Sequence, residues 1–269
     1  MQSEVKCPAL DKKKWFFLLM LWSVVISGGC GRTVPSLAEK GDVSVQEISY
    51  TTADKVTIYG SWIASQVKGR ANTKSPVVIL LHDYGLDRRD WGIFIPDLVQ
   101  QGYHVLAIDL RGHGKSTDGG KRLSGEYSPE TTSYLLQSGY LDVQAALEWI
   151  KRRKDTNIKQ ISLVGVGLGA DLTYSCARKF RAAITTSVAI SPSFSALTET
   201  KFTDSAPRAI LFCASTGDAS GSSMLAVESL ANFSDDPKKV VIYQSAAHGL
   251  AMFYKHPEIK QEILAWLKH

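Results

Sequence analysis

The sequence predicts one doubly wound α/β domain, a mainly parallel sheet with helices on both faces, and three observations carry that prediction. Short Val/Ile/Leu-rich runs alternate with amphipathic stretches to the end of the chain. Most of these runs are continuously apolar, as strands buried on both faces are. A length of 269 residues with 44% hydrophobic content suffices for one sizeable core.

In chain order, residues 43–52 and 56–64 alternate apolar and polar positions around Ala53, Asp54 and Lys55, which reads as an antiparallel hairpin. Residues 77–81, 104–110, 161–166, 184–190, 209–214 and 240–243 read as the strands of the parallel sheet. Between them, Trp91, Phe94, Ile95, Leu98 and Val99 have helical spacing over 91–101, with Gly102 as the stop. Further helices are expected over 141–150, 170–180, 225–233 and 257–267, the last with Pro257 in its first turn. Residues 117–138, with Gly119, Gly120, Lys121 and Arg122, read as a polar loop. Residues 191–207 are too few for a large cap over the sheet. Tyr84, Leu168, Phe194 and Trp91 are then expected around a shallow, open pocket.

The formal charge is +5, falling to +3 without the four Lys and two acidic residues of the first 29 positions, too mild a balance to predict nucleic acid as a partner. The basic run from Lys151 to Lys154 falls at an expected helix end, where cations suit the dipole. Four cysteines show no CxxC or His/Cys clustering, so no metal site is expected. Cys176 and Cys213 fall in apolar segments and read as core residues, with a bridge between them left open.

At the N-terminus, Lys6 and Lys12 to Lys14 precede an uncharged stretch over 15–26, the order of a secretory signal and too short to span a bilayer comfortably. Ser27, Gly28 and Gly29 then lead into Cys30, which resembles the lipobox of bacterial lipoproteins, although Ser27 stands where that pattern usually has Leu. The resemblance implies a signal peptide over 1–29, a lipidated Cys30 with a tether to 42, and the α/β domain over 43–269. It places the protein as an exported bacterial lipoprotein, membrane-anchored and facing the periplasm or the cell exterior.

Four segments, in this order, resemble the α/β-hydrolase family, closest to its small esterase-like and dienelactone-hydrolase-like members. His82-Asp83-Tyr84-Gly85 stands where that family has its oxyanion loop, and Asp109-Leu110-Arg111-Gly112-His113-Gly114-Lys115-Ser116 matches its D-x-R-G-H-G-x-S turn. Gly165-Val166-Gly167-Leu168-Gly169 occupies the place of the G-x-S-x-G nucleophile elbow. Gly217-Asp218 and Ala247-His248-Gly249 follow the later strands that carry the family's acid and histidine. The resemblance implies Asp218 and His248 as triad members, and the N–H groups of Tyr84 and Leu168 as the oxyanion hole. It requires no cofactor, and makes His113 part of a structural turn.

The elbow, however, carries Gly167 where the nucleophile should be. An acyl-transferring hydrolase needs a side-chain nucleophile, a base to take its proton and an acid to orient the base. Glycine supplies none, and it avoids the strain of about 1–3 kcal/mol that a larger residue stores at such a turn. Asp83, in place of the family's usual glycine, either brings a negative charge toward any developing oxyanion or points away as a solvated loop carboxylate. The N-myc downstream-regulated proteins, which are similar in carrying glycine at the elbow, are regarded as non-enzymatic. The sequence therefore predicts a hydrolase fold without serine-hydrolase activity and with a binding or scaffold role, for which a small-molecule or acyl ligand is one candidate; whether there is a protein partner is left open. The alternatives are a weak hydrolase in which His248 and Asp218 activate water, or a nucleophile from elsewhere, such as Ser191.

Overall fold

A computed structural model describes residues 44–65, 67, 74–117, 123, 128–198, 206–218 and 224–269. The expected signal peptide, Cys30, the tether and the Gly119 to Arg122 loop lie outside the described residues.

Eight strands form one sheet: β1 (Val45–Thr51), β2 (Thr57–Ile63), β3 (Ser75–Leu81), β4 (His104–Ile108), β5 (Thr156–Val166), β6 (Thr186–Ile190), β7 (Ile210–Ser215) and β8 (Lys238–Tyr243). Their order is β1-β2-β4-β3-β5-β6-β7-β8. The β1–β2 hairpin is antiparallel and joins β4 antiparallel; the remaining pairs are parallel. The parallel strands β3, β4, β6 and β7 have buried centres because apolar side chains leave both faces to meet helices.

Helices α1 (Ile95–Gln100), α7 (Ala251–Lys255) and α8 (Ile259–Trp266) bury Leu98, Phe253 and Ile263 on one face, against Val78, Val105 and Val164. On the other face, α2 (Pro129–Ser138), α3 (Tyr140–Lys151) and α4 (Leu168–Lys179) bury Leu135, Val143 and Leu172 against Ile79, Leu106 and Leu163. A third cluster joins α4 to α6 (Met224–Asn232) through Tyr174, Phe212 and Leu230. The short α5 (Ser195–Thr198) follows β6, and among the described residues no large cap rises over the sheet. Among the described residues no helix is long and apolar enough to cross a membrane.

Local physics accounts for the departures from the predicted elements. The helix expected over 91–101 divides into a 3-10 turn, Arg88–Ile93, and α1, because Pro96 has no N–H to continue a helix and instead fits the first turn of the next. Asp87 caps the 3-10 turn by accepting from the Arg89 N–H. The polar loop expected to run to 138 contains α2, started by Ser128, whose Oγ accepts from the Thr131 N–H, and by Pro129 at the first helical position. Strand β5 begins at Thr156, earlier than its apolar run, because Ser75 pairs with Thr156. Helix α8 begins at Ile259, two residues after Pro257, and the short α5 and α7 lack a legible period.

Cys176 and Cys213 are both free and fully buried, on opposite faces of the sheet, so the bridge left open by the sequence does not form. The turn after β4 is a structural lock. Asp109 accepts from the N–H groups of Arg88 and Lys115 at 2.9 and 2.7 Å and pairs with the Arg88 guanidinium. Gly114 has φ +52°, and a Cβ there would lie 2.2 Å from the Asp109 carboxylate, so only glycine fits. Arg111, 2% exposed, donates to Asp142 at 2.8 and 2.9 Å and to Asp54 at 2.7 Å, tying the hairpin to α3. His113 is fully buried beside the Arg111 carbonyl, in keeping with a structural role.

Candidate active site

The elbow forms where β5 gives way to α4. Gly167 adopts φ +53° and ψ −119°, a conformation costly for any residue with a Cβ. Its neighbours are constrained by close backbone approach. A Cβ on Gly165 would lie 2.0 Å from the Gly169 carbonyl oxygen, and one on Gly169 would lie 2.2 Å from that of Leu81. The three glycines therefore hold the end of β5, the start of α4 and the end of β3 together.

The space above Gly167 is filled by Asp83, which follows β3. One oxygen, Oδ1, accepts from the Tyr84 N–H at 2.7 Å and from the Leu168 N–H at 2.8 Å. The other, Oδ2, lies 3.0 Å from His248 Nε2, and His248 Nδ1 lies 2.8 Å from Asp218 Oδ2. A Cβ on Gly167 would fall 2.0 Å from Asp83 Oδ1, inside the carboxylate. The two N–H groups expected to form an oxyanion hole do converge, but on a carboxylate of the chain itself.

His82 fixes the loop that delivers Asp83. Its Nε2 accepts from the Leu110 N–H at 2.9 Å, which leaves Nδ1 to donate to the Asp83 carbonyl at 2.7 Å. Burial, with the neighbouring His113, lowers its pKa to about 4 and keeps it neutral.

His248 is held between two carboxylates. Burial works to lower its pKa, but the hydrogen bond and charge of Asp83, then those of Asp218, outweigh burial and raise it to about 9. An imidazolium has an N–H for each carboxylate, whereas the neutral ring would turn a lone pair toward one of them. At neutral pH the site is an Asp83–His248–Asp218 ion cluster with Asp218 almost fully buried.

The structure thus brings Gly167, Leu168, Tyr84 and His248 together around the Asp83 carboxylate, with Asp218 behind His248. Leu168 is 6% exposed and Phe194 44%, while the Trp91 side chain is excluded from any open pocket: it is fully buried and packs edge-on to Phe253. Ser191, the alternative nucleophile, directly follows β6. It is 1% exposed, and its Oγ accepts from the Gly249 N–H at 3.0 Å, bracing the His248 loop from a backbone with φ +54°. Asp171, fully within α4, also escaped the sequence reading. It accepts from Ser193 N and Oγ, both at 2.6 Å, and burial raises its pKa to about 7.

The doubly wound sheet, the glycine elbow after β5, the acid after β7 and the histidine after β8 define an α/β-hydrolase-type protein. The chain belongs to the alpha/beta hydrolase fold family, which it matches over residues 76–212. An esterase of Pyrococcus furiosus has the same fold at 21% identity and TM-score 0.65, over 84% of this chain and 92% of that one. An α/β hydrolase from Penicillium superposes at 16% identity and TM-score 0.66, over 84% and 98%. A dienelactone hydrolase from Anabaena variabilis does so at 16% identity and TM-score 0.60, over 85% and 99%. No curated protein matches the sequence.

Proposed function

We propose that this domain is a non-catalytic α/β-hydrolase-fold protein with a ligand-binding or scaffold role, carried by an exported lipoprotein anchored through Cys30. One observation carries the loss of catalysis: the Asp83 carboxylate occupies both places that acyl transfer requires. Its Oδ2 stands beside His248 Nε2 in the place of a nucleophilic hydroxyl, and its Oδ1 holds the two N–H donors that would stabilise an oxyanion. Hydrolysis by a His248-activated water is disfavoured for the same reason. Such a base must be unprotonated, and His248, raised to about 9, is charged at neutral pH and committed to Asp83.

The purified protein is expected to leave short p-nitrophenyl esters untouched and to resist fluorophosphonate labelling. Turnover at rates typical of serine esterases would overturn the reading. The anchor is tested separately: metabolic labelling with palmitate should mark the wild type and be lost in Cys30→Ser.

The position of Asp83 favours one second reading, in which its carboxylate itself attacks an sp3 carbon such as that of an alkyl halide. Oδ2 would form a carbon–oxygen bond as halide leaves, giving an alkyl ester that water then cleaves. Both oxygens are tied in the resting site, which weighs against it. Halide release, or an alkyl mass increment on Asp83 after exposure to a primary alkyl bromide, would favour this reading over the first.

A further inference from the structure

At the N-terminal ends of the parallel strands, opposite the elbow, lies a concavity of about 630 Å³. Lys74, Lys159, Arg208, Lys268 and His269 line it, and no Asp or Glu does among the described residues. The four Lys and Arg side chains are exposed and, among the described residues, make no ion pair. Asp155 pairs with Arg153 at 3.0 Å and Asp235 with Arg181 at 3.2 Å, while the exposed Asp236 precedes the lining residue Pro237. Four exposed Lys and Arg side chains with no Asp or Glu among the lining residues raise the positive potential inside the concavity and favour an anion there.

The strand register shows at which end of the sheet β1 begins. Val45, which opens β1, is paired with Ile63; Ile63 is paired with Val105, Val105 with Val78, and Val78 with Ser162, a lining residue of the concavity. The chain preceding β1 therefore enters the domain at the level of the basic concavity. Lys55, exposed in the turn between β1 and β2, marks the opposite end of the hairpin.

We propose that this basic face docks on the anionic phospholipid head groups of the membrane that holds the chain's own N-terminal anchor, leaving the Asp83–His248 end directed away from the bilayer. The proposal rests on the lipoprotein reading for its geometry and on the unpaired cations for its chemistry. Each cation near an anionic surface strengthens attachment about fivefold, and salt screens the effect.

The test uses the full chain, purified in neutral detergent and reconstituted into phosphatidylcholine vesicles with or without phosphatidylglycerol. A membrane-impermeant amine reagent then measures the reactivity of Lys74, Lys159 and Lys268, with Lys55 as the internal reference. Phosphatidylglycerol is expected to slow labelling of the three lysines about fivefold or more, reversibly with high salt, and to leave Lys55 unchanged. In Lys74→Gln/Lys159→Gln/Arg208→Gln, protection of Lys268 should be lost. Equal labelling on the two vesicle types overturns the proposal. Failure of the anchor is recognised separately, because the chain then does not float with phosphatidylcholine vesicles. In that case salt-sensitive flotation with phosphatidylglycerol alone, absent in the triple variant, still supports docking, and no flotation refutes it. Protection by inorganic phosphate without vesicles, with no added protection from phosphatidylglycerol, would assign the concavity to a free phosphate and also refute the membrane as occupant.

Discussion

Gly167 and Asp83 exclude one another's alternatives, so restoring the serine alone should not restore a hydrolase. A Cβ at position 167 lies 2.0–2.3 Å from the three carboxylate atoms of Asp83, and any Gly167→Ser chain must expel that carboxylate. Expulsion breaks three charge-assisted hydrogen bonds, of 2.7, 2.8 and 3.0 Å. At roughly 1.5–3 kcal/mol each their gross loss is about 4–9 kcal/mol, an upper bound because water reaches the freed groups. The strained backbone at φ +53° adds about 1–3 kcal/mol for a residue with a Cβ. Asp83→Gly loses the same three bonds in the wild type, but loses almost nothing in a Gly167→Ser background, where the carboxylate is already displaced. The two substitutions should therefore be strongly non-additive: the cost of Asp83→Gly falls from several kcal/mol in the wild type to near zero in Gly167→Ser.

Urea unfolding of the wild type, both single variants and the double variant measures this coupling. Activity provides the second readout. Gly167→Ser, whose displaced Asp83 carboxylate keeps a negative charge beside the developing oxyanion, should remain silent on p-nitrophenyl esters, while Asp83→Gly/Gly167→Ser, with that charge removed, should exceed it by about 10²-fold or more and take up fluorophosphonate. Stability effects that add within about 0.5 kcal/mol, or a Gly167→Ser single variant as active as the double, would refute the steric argument.

Raising the pKa of His248 from 6.5 to about 9 makes a stabilising contribution that is complete below pH 6.5 and lost as pH rises through 9, worth no more than about 3 kcal/mol. Urea denaturation from pH 6 to 10 should show that loss in the wild type and not in His248→Gln, and parallel profiles would contradict it. Asp142→Ala should cost about 3–5 kcal/mol, because it strips a fully buried partner from a guanidinium only 2% exposed; a loss under about 1 kcal/mol, measured by urea unfolding, would show that Asp54 alone suffices. Gly114→Ala should be destabilised by several kcal/mol, since its methyl would lie 2.2 Å from the Asp109 carboxylate at φ +52°; thermal unfolding checks this. Cys176 and Cys213 should escape iodoacetamide in the native protein and react in urea, as peptide mapping would show, because both are fully buried and burial raises their thiol pKa values.

The sheet was legible because its strands are continuous apolar runs and its motifs sit at strand ends in a fixed order. Helix boundaries were less so. Pro96 divides what hydrophobic spacing joins, whereas α2 carried a readable start in Ser128 and Pro129 that the glycine-rich residues before it obscured. At the site, the sequence supplies the residue types and their order but not a side chain's direction. His82-Asp83-Tyr84-Gly85 announces an acid beside the oxyanion loop. Whether that acid turns to solvent or inward depends on free space above Gly167, a tertiary property contributed by β3, β5, α4 and the loop after β8 together.

That space links two departures from the family pattern that look independent in the sequence. Removing a nucleophile's side chain alone would leave the Tyr84 and Leu168 N–H groups and the His248 ring around a polar void, and buried polar groups without partners are costly. Asp83 enters the void that glycine opens and satisfies all three, giving His248 a second carboxylate in exchange for a hydroxyl. His248 and Asp218 then have a structural reason to stand where they do: without His248, the Asp83 and Asp218 carboxylates would lose their shared cation. An intact histidine–acid pair in this fold is thus compatible with a site that has no chemistry to perform. The non-catalytic reading proposed above therefore rests on the group facing His248 Nε2, which here is the Asp83 carboxylate that also accepts from the Leu168 N–H.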